Sequence, residues 1–168
     1  MSYSPVRMGR IIHTVAWCIL FGMPFFFTGR QTESVTVESY TRFVVMPLSF
    51  MVVFYVNYFG LVKRYLLRQR TAEFFFSNLL LIALMMVVVH LLMQYLPDDP
   101  TRHRPPRQPD LQHIIGFFAG NAFLYALVAG LSVAIRMTGN WYQMETMRRE
   151  LEKSRAEAEL KNLKSQLN

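Results

Sequence analysis

Four windows of this 168-residue chain run for about twenty residues each without a single Asp, Glu, Lys or Arg: Ile11–Gly29, Phe43–Val62, Phe74–Leu96 and Ile114–Ile135. A hydrocarbon core roughly 30 Å thick needs about 20 apolar residues of helix to cross it. Lipid offers no water to backbone N–H and C=O groups, so each window satisfies its own only as a helix. Four buried helices of a soluble bundle would instead carry polar stripes, which these windows lack. The sequence therefore predicts an all-α membrane protein with four transmembrane helices.

The remaining residues set the orientation. The apolar fraction is 52% and the formal charge is +7, a combination that suits neither a disordered tail nor an ordinary soluble domain. Thirteen of the 18 basic residues fall on one side of the predicted membrane: Arg7 and Arg10, then Lys63, Arg64, Arg68 and Arg70, then the seven from Arg136 to Lys164. Arg30, Arg42, Arg102, Arg104 and Arg107 fall on the other. Cytoplasmic loops collect Lys and Arg, so both termini are expected in the cytoplasm. The basic residues are spread over three segments, which argues against a nucleic-acid partner. Residues 1–10 read as a cytoplasmic tail, 11–136 as the transmembrane domain, and 137–168 as a cytoplasmic juxtamembrane helix. The outer links, Arg30–Arg42 and the proline-rich Pro97–His113, are too small to form a ligand-binding domain. A stimulus would have to be read in the bundle, at these links or from the lipid.

Cys18 is the single cysteine and lies within the first window, so no disulfide framework or thiolate metal site is possible. The first window is too long for a signal-peptide core and lacks a small-x-small cleavage pattern, so it reads as an uncleaved anchor. Pro24 and Pro47 should kink spans one and two. Tyr3, Tyr40, Tyr65, Tyr95, Trp141 and Tyr142 sit near span ends, where amphipathic rings prefer the interface.

Ionisable groups in hydrocarbon are functional by default, and only His13 and His90 qualify. Sixteen residues of helix separate Phe74 from His90, about 24 Å, so His13 near the inner face and His90 differ in depth by about 20 Å. They cannot share one axial pair. His90, His103 and His113 match no ligand spacing. No metal, cofactor or catalytic residue is assigned. Asn57, Asn78, Asn121 and Gln94 are expected to hydrogen-bond across helices, each for about 0.5–2 kcal/mol. The lack of an intramembrane carboxylate weighs against a proton-coupled transporter. Gly116, Gly120, Ala122, Ala126 and Gly130 form a small-residue pattern that serves either as an intrachain packing seam or as a dimer seam.

Beyond Arg136 the sequence changes character. Gly139 reads as a small break, and Asn140 with Gln143 as a capping box. From Trp141 there is no Gly or Pro, and Glu145/Arg149, Glu157/Lys161, Glu150/Lys153 and Glu152/Arg155 stand at pairing distances. The helix would reach about 42 Å to Asn168. Met144, Met147 and Leu151 have coiled-coil spacing, as do Leu160, Leu163 and Leu167, but the two trios are out of phase.

The run Ala158-Glu159-Leu160-Lys161-Asn162-Leu163-Lys164-Ser165-Gln166-Leu167-Asn168 resembles the segment that opens the kinase region of LytS-like sensor histidine kinases. In that family an x-E-L-x-x-L-x-x-Q-I/L-N helix leads into Pro-His-Phe-Leu-Phe-Asn, whose histidine takes the phosphoryl group from ATP. The resemblance implies the sensory and dimerisation half of such a kinase, expected to continue into a domain that uses ATP and magnesium and passes the phosphoryl group to a response regulator. The rival reading is a complete tetraspan scaffold with a coiled-coil hook. Protease added to intact cells should leave the Trp141–Asn168 segment uncut, whereas inverted vesicles should lose it; cleavage in intact cells would reverse the orientation.

Overall fold

A computed structural model describes residues 5–27, 35–96 and 111–166, with side chains described from residue 11 onward apart from 27, 113 and 114. Every regular element among them is helical: α1 (Pro5–Phe27), α2 (Val37–Tyr55), a π-helical stretch (Val56–Leu61), the short α3 (Val62–Arg64), a 3-10 turn (Leu66–Arg68), α4 (Thr71–Tyr95) and α5 (Leu111–Gln166). Three continuous helical segments, Val37–Arg68, Thr71–Tyr95 and Ile115–Gln166, are long and apolar enough to cross a membrane. In α1 the apolar stretch Ile11–Phe26 is shorter. Residues 28–34 and 97–110, which hold the start of the Arg30–Arg42 link and most of the Pro97–His113 link, lie outside the described residues.

Helix ends follow local chemistry. Pro5 opens α1, where a missing N–H has no partner to lose. Thr36 caps α2: its hydroxyl accepts from the Ser39 N–H at 3.2 Å, and Glu38 in the first turn complements the helix dipole. This cap starts the helix at Val37, so the end of the predicted Arg30–Arg42 link is helical. Both α1 and α2 run through their internal prolines, Pro24 and Pro47.

The largest departure from expectation is α5, which runs for 56 residues, about 84 Å, without a break. Gly139 neither ends it nor takes a left-handed conformation, and Asn140 is an interior residue. A single helical Gly is disfavoured by only about 1 kcal/mol relative to Ala, less than the helix forfeits by breaking. The apolar stretch and the charged segment that follows it are one rod.

The bundle is organised around α2, which packs against α5, α4 and α1. Val53, Met85, Tyr125 and Ala129 form its core, with Phe50, Leu81, Ile82, Met86 and Val128 against them. Arg42 Nη2 donates to the Leu96 carbonyl at 2.8 Å, placing a cation on the C-terminal end of α4. Eleven residues along α2 from Arg42 is Val53, and eleven back along α4 from Leu96 is Met85, so the antiparallel pair keeps register into the core.

The hairpin between α2 and α4 closes in an unusual way. Gln69 is left-handed at φ 62°, and is the one positive-φ non-glycine residue among the described residues. The Gln69 N–H meets the Leu66 carbonyl at 3.1 Å and the Arg70 N–H meets the Tyr65 carbonyl at 2.9 Å, the paired bonds of a Schellman cap. A side chain in this conformation is strained by about 1 kcal/mol relative to Gly. Gln69→Gly should therefore raise stability by about 0.5–1 kcal/mol in a denaturant titration of the reconstituted protein; a loss would show that the Gln69 side chain stabilises the hairpin more than its backbone strains it.

Candidate functional site

Three groups of side chains could carry a function: a buried polar column, an aromatic cluster at the inner end of α1, and the exposed residues of α5.

The polar column lies between α2, α4 and α5. Ser49 Oγ and the Tyr125 hydroxyl meet at 2.8 Å, both buried, while Ser49 Oγ also reaches the Met46 carbonyl at 2.7 Å. Eight residues inward from Ser49 is Asn57, and seven inward from Tyr125 is Ser132; both are 0% exposed. Asn78 on α4 is buried nearby in depth. The expected cross-helix amide bonds do not form. Asn57 Nδ2 donates to Val53 O, Asn78 Nδ2 to Phe74 O and Asn121 Nδ2 to Phe117 O, each on its own helix, and Gln94 meets His90 one turn back. A short amide reaches its own preceding turn without straining either helix, so the local partner wins. Asn57 Oδ1 and Asn78 Oδ1 are left buried without a protein partner. The bond that does cross belongs to hydroxyls, Ser49 and Tyr125. Sequence reasoning missed it because it searched the spans for ionisable and amide groups; a hydroxyl in the middle of two spans was the available signal.

Asn57 also marks a local irregularity. The Val62 N–H bonds to the Asn57 carbonyl, five residues back, in a π-helical turn. Such a turn inserts one residue into the helix and is often found at functional sites. Here it puts Asn57 into the core while Tyr55 and Tyr58 face α1. The His13 ring lies 5.3 Å from Phe54, 6.0 Å from Tyr55 and 5.6 Å from Tyr58. Trp17, one turn outward, donates its indole N–H to the Tyr55 hydroxyl at 3.1 Å. The Arg136 guanidinium of α5 sits 5.2 Å from the centre of the Tyr58 ring, a cation–π contact.

The histidines are far apart, as their positions in the sequence require. His13 is at the level of Tyr58 and Arg136, whereas His90 lies beside Phe118, eighteen residues earlier on α5, about 27 Å away along the axis. His103 and the His113 side chain are outside the described residues. Among the described residues no three of His, Cys, Asp and Glu converge.

On α5 the small residues do not form one intrachain seam. A Cβ on Gly116, Gly120 or Gly130 would meet nothing within 4 Å. At 100° per residue these three point away from the buried Tyr125, while Ala122 turns toward the bundle and Ala126 to its flank. Farther along, Met144, Met147, Leu151, Leu160 and Leu163 are 65%, 64%, 57%, 56% and 61% exposed. Leu167 lies outside the described residues. Because the helix is unbroken, Leu160 and Leu163 face about 160° from the centre of Met144, Met147 and Leu151. Of the expected ion pairs, Arg149–Glu145 forms at 3.0 Å, but Glu152 pairs with Arg148 at 2.9 Å and Glu157 with Lys153 at 3.9 Å. These are i,i+4 geometries, in which the side chains reach each other more directly than at i,i+3.

Compared with known protein families, with curated protein sequences and with solved structures, the chain gives no match.

The orphaned carbonyl of Asn57 has a measurable consequence. Leu is close to Asn in shape and removes the unpaired oxygen, so Asn57→Leu should raise stability by about 1 kcal/mol. A loss of stability in the same titration would mean that a bound water or ligand meets Oδ1.

Proposed function

We propose that this chain is the membrane-anchored sensory and dimerisation module of a LytS-like sensor histidine kinase. In this reading α1, α2, α4 and the first half of α5 all span the inner membrane, with both termini in the cytoplasm. The second half of α5 delivers the Ala158–Asn168 segment to a kinase domain beyond it, where ATP and magnesium act and a response regulator receives the phosphoryl group. The observation that carries the proposal is the continuity of α5: one helix joins the membrane bundle to the family-like segment with no hinge between them. A displacement at Tyr125 or Arg136 is then transmitted along a rigid rod.

The two apolar trios supply the bistable element that signalling needs. A straight pair of parallel helices buries Met144, Met147 and Leu151, or Leu160 and Leu163, but not both, because the trios face different ways. Rotation of the rod exchanges one for the other. The free glycine face, Gly116, Gly120 and Gly130, is compatible with a second copy in the membrane-spanning half.

The gene sequence after Asn168 is the first test: a Pro-His-Phe-Leu-Phe-Asn continuation supports the kinase, and a stop codon supports the tetraspan scaffold. In the full protein, disulfide trapping at Met147→Cys and Leu163→Cys should give two yields that move in opposite directions when the signalling state changes. Equal, state-independent yields at both positions would sink the rotation.

A further inference from the structure

We infer that the junction of α1, α2 and α5 at Tyr58 binds the phosphate of an anionic phospholipid of the inner leaflet, with the Arg136 guanidinium as its main ligand. The inference rests on the proposed orientation, with Arg136 at the inner boundary. The Tyr58 ring is shared by His13 of α1 and Arg136 of α5. Since α1 packs chiefly on α2, this ring forms the floor between two helices that converge on it without closing over it.

Charge decides the occupant. A guanidinium carries five donors in a planar fork that matches phosphate oxygens. Among the described residues Arg136 makes a cation–π contact, its Cζ 5.2 Å from the Tyr58 ring centre, and no hydrogen bond or ion pair takes up its donors. Glu73 at the start of α4 and Glu145, nine residues beyond Arg136 on α5, are engaged by Arg70 at 3.3 Å and by Arg149 at 3.0 Å. Lys63 and Arg64, exposed just beyond the π-helical stretch, add positive potential on the same inner side. Basic pockets between spans on the cytoplasmic side attract anionic headgroups in this way. Acyl chains of a lipid anchored here would run outward along α1 past Trp17, one helical turn from His13.

That neighbour provides the readout. The full chain carrying Trp141→Phe keeps Trp17 as its single tryptophan. It is reconstituted in phosphatidylcholine vesicles doped with either bromine-labelled phosphatidylglycerol or bromine-labelled phosphatidylcholine. Trp17 quenching by the brominated phosphatidylglycerol should exceed that by the neutral lipid about five-fold. Arg136→Gln should abolish the excess, Arg136→Lys should keep part of it, Arg64→Gln should keep most, and inorganic phosphate should not compete. Equal quenching by both lipids, or an excess that survives Arg136→Gln, overturns the site. Competition by inorganic phosphate would assign it to a soluble phosphate ligand and overturn the lipid. Should Arg136→Gln fail to reconstitute, native mass spectrometry of the unsubstituted protein decides: preferential retention of phosphatidylglycerol supports the site and indifference overturns it. No quenching by either lipid would remove α1 from the bilayer, and the four-span reading would fail with the site.

Discussion

In a hydrocarbon solvent an apolar side chain gains little by leaving lipid for protein, so the few polar contacts that cross between helices hold the bundle in register. The Ser49–Tyr125 bond is the central one. It is buried on both sides and fixes α5 against α2 within the apolar stretch of each helix. Val53, Met85, Ala129 and Tyr125 interlock just inward of it, where their shapes meet only in that register. Arg42 on the Leu96 carbonyl fixes α4 in the same manner at its outer end. Such bonds average only about 0.6 kcal/mol in membrane proteins, but register needs a preference between alignments and not a large total.

The inner half of the bundle is built differently. Asn57 satisfies its amide N–H₂ on its own helix, and the adjoining π-helical turn adds a residue to α2 just before it leaves the core. The extra residue rotates the rest of the helix about its axis. Asn57 is thereby sealed inside, while the Tyr55 and Tyr58 rings meet His13 and Trp17. α1 is held largely by these aromatic contacts, the Trp17–Tyr55 bond and a 3.4 Å bond from the Tyr40 hydroxyl to the Phe21 carbonyl. It is the least embedded of the long helices, with no fully buried side chain among its described residues.

Beyond the bundle, α5 contributes length without packing. Ion pairs at i,i+4 on a solvated helix add only a few tenths of a kcal/mol each, and isolated helices are marginal in water. The Met and Leu side chains of this stretch are left largely exposed. The two apolar groups of this rod stand on different faces and are exposed to a similar degree.

Residue order was enough to establish that the chain is helical and apolar enough for lipid, since charge-free windows of that length leave the backbone no other way to bond itself. It also announced the apolar trios, whose spacing is set by residue number alone. Where the helices begin and end was less legible: α2 starts at Val37, behind the Thr36 cap and six residues before the Phe43 window, and α5 runs past Ile135 to Gln166. Packing in three dimensions was needed to show that Asn57, Asn78 and Asn121 turn back on their own helices, that Ser49 and Tyr125 cross instead, and that Gly139 does not interrupt α5. In each case a local bond competes with one across helices, or a small conformational penalty with the continuity of a long element. Sequence states which groups compete, but the distance between neighbouring helices decides which of them wins.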